Sequence, residues 1–192
     1  KQNSGVLYAA KKCGIKKIYS IGGAQAISAL AYGTKKVFKV NKIVGPGNLY
    51  VSAAKKEIFG EVGIDMIAGP SEITIVGDNY SNENWIASDL IAQAEHDELS
   101  QSVLISKDKQ LIYKVKKSLS EQLKKLPRRA IAAKSLNTNG ILIYVSSDKK
   151  IIEIINKIAP EHLELNIKNY KNIAKKIINA GSIFLGKYST EA

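Results

Sequence analysis

Apolar residues recur along the chain in short clusters that switch between helical spacing and brief unbroken runs, with glycine, proline or asparagine at many of the switches. Ser4 is expected to cap a helix through Val6, Leu7, Ala9 and Ala10 that stops at Gly14. Ile15, Ile18 and Ile21 predict a short strand, Gly22-Gly23 a turn, and Ala24 to Tyr32 a helix closed by Gly33. The same sequence of elements follows at once: a strand at Lys42-Ile43-Val44, a turn at Gly45-Pro46-Gly47, and a helix from the N-cap Asn48 through Tyr50, Val51, Ala53, Ala54 and Ile58. Ile64 to Ala68 and Ile73 to Val76 are short apolar runs around the turn Gly69-Pro70-Ser71-Glu72.

Trp85, Ile86, Leu90, Ile91 and Ala94 space a helix from Trp85 to His96. Beyond it the pattern predicts a strand at Ser102 to Ile105, helices near Lys109 to Leu126 and Arg129 to Leu136, and a strand at Ile141 to Val145. Asp148 is expected to cap a helix through Ile151, Ile155 and Ile158 that Pro160 breaks. Leu163 to Ile167, Tyr170 to Ile178 and Ser182 to Leu185 complete the alternation as strand, helix and strand. Strands this short and this apolar are too greasy to be half-exposed, so the class expected is α/β, with parallel sheets covered by helices. A boundary near the Gly69-Pro70 turn would give two lobes, residues 1–70 and 71–192.

The 192 residues are 45% hydrophobic, ample for packed cores. The formal charge of +12 invites a nucleic-acid reading, but 27 of the 29 basic residues are lysine and only Arg128 and Arg129 are arginine, which describes a solvated surface. Cys13 is the single cysteine, so no internal disulfide can form, and it lies at a helix C-terminus where the dipole disfavours a thiolate. No stretch approaches the ~20 apolar residues of a membrane span. A cytoplasmic protein with no nucleic-acid or membrane partner is expected. Lys1 replaces an initiating methionine and no polar tail follows, so a fragment is also expected.

Charge is unevenly spread. Residues 57–106 contain no lysine or arginine yet carry ten of the 17 carboxylates, so this window holds about −10 and the remainder about +22. Within it, Gln93 and His96 stand three apart, on one face if the helix runs through His96, and could share one cation, although such a pair also suits a solvated helix end. Ligands of parallel sheets gather at strand carboxyl ends, which directs attention to three loops. Gly45-Pro46-Gly47-Asn48 offers close backbone approach and a helix N-terminus, either as a tight turn or as a cofactor loop. Gln25 follows Gly22-Gly23-Ala24 at the opening of a helix, exposed or ligand-facing. Pro160-Glu161-His162 pairs a histidine with a carboxylate, as a general base or as a packed ring.

Five ordered motifs carry a resemblance. Ile21-Gly22-Gly23-Ala24-Gln25-Ala26-Ile27, Lys42 to Val51, Gly63 to Glu72, Gln93-Ala94-Glu95-His96-Asp97 and Ala159-Pro160-Glu161-His162-Leu163, followed by Gly181-Ser182-Ile183-Phe184-Leu185-Gly186, resemble the histidinol dehydrogenase family in sequence and order. The resemblance implies two incompletely wound Rossmann-like lobes, in keeping with Tyr50 where a dinucleotide fingerprint has its third glycine. It implies oxidation of L-histidinol through L-histidinal to L-histidine by NAD at a zinc site, in a homodimer. It assigns Gln93 and His96 to zinc, Ser71, Gln93, His96 and His162 to the substrate, Glu161 and His162 to acid-base catalysis, and Gln25 and Asn48 to NAD. The family completes its zinc shell with an aspartate soon after the Gly181 segment and a later histidine from the partner subunit, and contacts NAD through an upstream tyrosine; this chain contains none of the three. The competing expectations are a catalytically incompetent fragment or structural homologue, and a basic nucleic-acid-binding module.

Overall fold

The computed structural model describes residues 3–67 and 69–189. Their contacts separate into two compact units, Lys1–Gly69 and Pro70–Ala192, each with its own core.

In the first unit, helix α1 (Ser4–Lys12) is capped by Asn3, not Ser4: Asn3 is extended and its side chain accepts the Gly5 N–H at 2.8 Å. No strand forms over residues 15–21. A spacing of three throws Ile15, Ile18 and Ile21 onto alternating faces of any strand, and all three are exposed. Helix α2 (Gly23–Tyr32) buries Ile27 and Ala31. Strand β1 (Lys42–Ile43), helix α3 (Leu49–Glu57) and strand β2 (Gly63–Ile64) make one parallel βαβ crossover. Ile27, Ala31, Ile43, Ile58 and Val62 form its core.

The second unit follows the alternation read from the sequence, with strands β3 (Glu72–Gly77), β4 (Gln101–Ser106), β5 (Gly140–Tyr144), β6 (His162–Asn166) and β7 (Ser182–Leu185). Between them run α4 (Glu83–Ala94), α5 (Lys109–Leu123), α6 (Arg129–Asn139), α7 (Asp148–Ile158) and the short α8 (Tyr170–Ala174). Ser147 rather than Asp148 caps α7, its hydroxyl accepting the Lys150 N–H at 3.3 Å, and α8 stops four residues before Ile178, which is exposed. The strands pair in the order β5-β4-β3-β6-β7, all parallel.

Both faces of that sheet are covered, which is why its central strands are mostly apolar on both faces, with Thr74 and Glu164 as buried polar exceptions. Ile73, Ile75 and Leu104 pack with Ile86 and Leu90 of α4 and Leu111 and Val115 of α5. Val76, Val103, Ile105, Leu163 and Leu165 pack on the other face with Ile151 and Ile155 of α7. Each such side chain contributes roughly 1.5–3 kcal/mol on burial. Starting from β3, the chain winds outward through β4 and β5, then crosses back to β6 and β7, so the strand order reverses between β3 and β6.

The carboxyl end of that reversal is laced shut by the chain itself. Ser81 accepts the Asp78 N–H at 2.9 Å and donates to the Asn166 carbonyl, while Asp78 Oδ2 accepts the Lys168 N–H at 3.0 Å. At the amino end lie Ser71, Glu72, Glu161 and His162. The expectation that Pro160-Glu161-His162 occupies a strand carboxyl end is therefore corrected: His162 is the first residue of β6.

Candidate active site

His162 stands between Ile73 of β3 and Ser182 of β7 in the sheet register, half-buried, its ring 6.1 Å from that of Phe184. The approach to it is tightly determined. Ala159 ends α7 in a left-handed conformation, φ 53, the sole non-glycine residue with positive φ among those described, and the buried Pro160 follows. The Pro160 carbonyl accepts the Gly181 N–H at 2.9 Å and the Glu161 carbonyl accepts the Ser182 N–H at 2.8 Å. The backbone of Gly181-Ser182 thus braces the segment that holds Glu161 and His162.

That brace needs glycine, since a Cβ on Gly181 would stand 2.4 Å from the Glu161 carbonyl oxygen. Gly181→Ala should cost about 1–3 kcal/mol of unfolding free energy through this overlap. Urea denaturation reads it directly; an unchanged midpoint would show that the strand end yields freely.

Glu161 is exposed and accepts a long hydrogen bond, 3.4 Å, from the Glu72 N–H. Burial, and then the Glu161 charge beside it, push the Glu72 carboxyl above its ordinary value. Ser71, half-buried just before β3, fixes the neighbouring strand by accepting the Gln101 N–H at 3.1 Å. Ser71, Glu72, Glu161 and His162 therefore converge on the amino-terminal edge of one sheet, where the central strands β3 and β6 begin.

The crossover from β3 to β4 through α4 brings Gln93 back toward that same edge, one residue from the end of the helix. The helix stops at Ala94, so His96 is not on a helical face with Gln93 as expected but two residues beyond, in the turn that follows. Its N–H bonds to the Gln93 carbonyl at 3.2 Å and its Nδ1 lies 2.7 Å from the Ala92 carbonyl oxygen. A carbonyl can only accept, which places the ring proton on Nδ1 and leaves the Nε2 lone pair for a ligand. Gln93 is buried and His96 exposed.

Gln93 and His96 offer one amide oxygen and one imidazole nitrogen, donor types that zinc accepts. A catalytic zinc takes three protein ligands, and no cluster of three or more histidine, cysteine, aspartate or glutamate residues able to hold a metal occurs among the described residues. The acidic neighbours are engaged otherwise: Asp97 accepts the Leu99 N–H at 2.9 Å, and Glu98 pairs with Lys134. Two further carboxylates of the lysine-free window pair with lysines outside it, Glu61 with Lys39 at 3.9 Å and Asp65 with Lys55 at 2.6 Å.

In the first unit, Gly45 takes φ +128 and Gly47 lies against Val51, where a Cβ would meet its side chain at 2.4 Å. Asn48 caps α3, its Oδ1 accepting the Val51 N–H at 3.1 Å, so its amide NH2 remains for a ligand. Gln25 is exposed in the first turn of α2, after the N-cap Gly22, which has no side chain to cap with. The Lys55–Asp65 pair that grips Gly45 went unpredicted, as did Gly181 and Glu72 beside Glu161. Only Asp65, an acid immediately after a strand, carried a local signal.

Comparison with known proteins places this arrangement. The family model described as histidinol dehydrogenase matches residues 1–192. Histidinol dehydrogenase of Pelagibacter ubique is 68% identical over 193 residues, covering 100% of this chain and 45% of the relative, and that of Hydrogenovibrio crunogenus is 50% identical, covering 99% and 44%. The crystal structure of histidinol dehydrogenase from Elizabethkingia anophelis superposes with a TM-score of 0.91 at 44% identity, over 97% of this chain and 43% of that one. Gamma-glutamyl phosphate reductase of Thermotoga maritima, TM-score 0.52 at 13% identity, shares the fold alone. The chain spans less than half the length of the curated relatives it matches.

Proposed function

The chain belongs to the histidinol dehydrogenase family, and from that premise we propose that it is the part of such an enzyme that binds L-histidinol and oxidises it through L-histidinal to L-histidine with two NAD+. The observation that carries the proposal is the edge of the five-stranded sheet, where Glu161 and His162 are held by Gly181-Ser182 beside Ser71 and Glu72. A general base and a carboxylate poised side by side suit a reaction that removes a proton from an alcohol and then adds water to an aldehyde.

His162 takes the hydroxyl proton of histidinol as hydride leaves the carbinol carbon for the first NAD+. Glu161 takes a proton from the water that adds to the aldehyde while the protonated His162 returns its proton to the aldehyde oxygen, giving the hydrate and a neutral imidazole. His162 then takes a hydroxyl proton of the hydrate as the second hydride leaves for the second NAD+, and the resulting carboxylic acid loses its remaining proton to solvent as it departs as the carboxylate. Ser71 hydrogen-bonds the substrate, Gln93 and His96 contact its polar end, and Gln25 and Asn48 hold the dinucleotide, the free amide groups at the start of α3 favouring its pyrophosphate. Gln93 Oε1 and His96 Nε2 are also the donors this chain offers to zinc, which when bound fixes the imidazole and amino nitrogens of the substrate. The remaining ligands would come from outside these residues, one of them from the second subunit of a homodimer.

The test uses a full-length form in which this chain is carried within the flanking sequence of the Pelagibacter ubique relative. Glu161→Gln should slow oxidation of histidinal by about 100-fold while slowing that of histidinol less than about threefold, since only the second half-reaction consumes an activated water. Single-turnover NADH formation from each substrate separates the two. Equal losses in both would contradict the division of roles.

A further inference from the structure

The assignment of the dinucleotide to Asn48 rests on a turn held in place by Lys55, outside the motifs, and Asp65, within the Gly63 to Glu72 motif. Lys55 lies on α3 with its side chain 4% exposed, unlike its exposed neighbour Lys56. Its ammonium donates to the Gly45 carbonyl at 2.6 Å and to Asp65 Oδ1 at 2.6 Å. Asp65 Oδ2 in turn accepts the Gly45 N–H at 2.8 Å. One ion pair thus closes on both polar groups of a single residue.

A Cβ built on Gly45 would meet no atom within 4 Å, so packing does not fix its conformation, although φ +128 is open only to glycine without strain. A buried ammonium is costly unless paired and hydrogen-bonded, and here its partners are the turn and the carboxylate that grips the same turn. The Gly45 N–H, with the Lys55 ammonium next, holds the Asp65 carboxyl well below the usual carboxylate range, so Asp65 stays ionised at any physiological pH. From Gly45 the constraint passes along the chain: Pro46 has a fixed φ, Gly47 lies on Val51, and Asn48 caps the helix.

We propose that Lys55 and Asp65 are a positioning pair for dinucleotide binding: without touching the cofactor, they orient the Gly45–Asn48 turn and the first amides of α3 toward it. This rests on the assignment of Asn48 to NAD. The polarity of the grip is specific, because Gly45 needs a donor at its carbonyl and an acceptor at its N–H. An asparagine at position 65 can satisfy either Lys55 or the Gly45 N–H with its one oxygen, but it turns an N–H donor toward the other.

Asp65→Asn and Lys55→Met in the full-length form should each raise KM for NAD+ about tenfold, the loss of one or two charge-assisted hydrogen bonds, while KM for histidinol stays within about twofold. The double variant should be no worse than the weaker single one, as expected of groups acting as a unit. Hydrogen exchange at the amides of Gly45 and Asn48 should quicken in both. An unchanged KM for NAD+ in either folded variant, or a parallel rise in both KM values with a lower melting temperature, would overturn the proposal in favour of a merely structural pair. Failure of the parent form itself to reduce NAD+ with histidinol would instead defeat the functional reading, and with it the role of the pair toward the dinucleotide.

Discussion

His162→Asn in the full-length form should lower kcat for histidinol oxidation by about 10²–10⁴-fold while leaving bound metal unchanged, the usual contribution of a positioned general base. The expectation follows from where the ring stands. His162 opens β6 between two paired strands, half-buried, with Phe184 against it, so its direction is set by the sheet. Asparagine preserves a polar group of similar reach but accepts no proton near neutral pH. Metal content should not move, because the donors assigned to zinc, Gln93 and His96, sit at the end of α4 and beyond it. Loss of metal in the variant, measured by elemental analysis beside the kinetics, would mean that His162 is a ligand and not the base.

The second large effect concerns the 192 residues by themselves. They should bind zinc far more weakly than the full-length form, by about 100-fold or more, and form no NADH with histidinol. Gln93 brings a neutral oxygen and His96 one nitrogen, and the described residues hold no cluster of three acidic, histidine or cysteine groups to complete the shell. Of the carboxylates nearby, Asp97 accepts the Leu99 N–H and Glu98 pairs with Lys134, and no third ligand clusters with them among the described residues. Calorimetric titration of zinc into both forms decides it: equally tight, stoichiometric binding would show that the ligands lie elsewhere in the chain.

Much of this fold was legible in the sequence because parallel strands covered on both faces are predominantly apolar, as in Ile73–Val76, Val103–Ile105 and Leu163–Leu165, where only Thr74 and Glu164 interrupt the apolar residues. The run at Ile15, Ile18 and Ile21 misled because three apolar residues attract a strand assignment while their spacing denies it a single face. The motif residues were legible as chemistry, but not which edge of the sheet they occupy. That depends on the strand order, with β6 inserted beside β3, a pairing between residues about 90 apart in the chain. His96 was placed on the helix because nothing local marks its end; the stop at Ala94 comes from the turn that Asp97 closes with Leu99. Lys55 was invisible for a different reason, as one lysine among 27 in a chain where lysine ordinarily means solvent. Only the meeting of Lys55, Gly45 and Asp65 in space distinguishes it.

The most direct test of the central claim is the number of NADH formed per histidinol consumed by the full-length form, followed by absorbance with limiting substrate while the products are separated. Oxidation at a single sheet edge equipped for both proton removal and water activation predicts two NADH for each histidinol, with histidine as the accumulating product and no aldehyde released. One NADH with free histidinal, or none at all, would contradict the account.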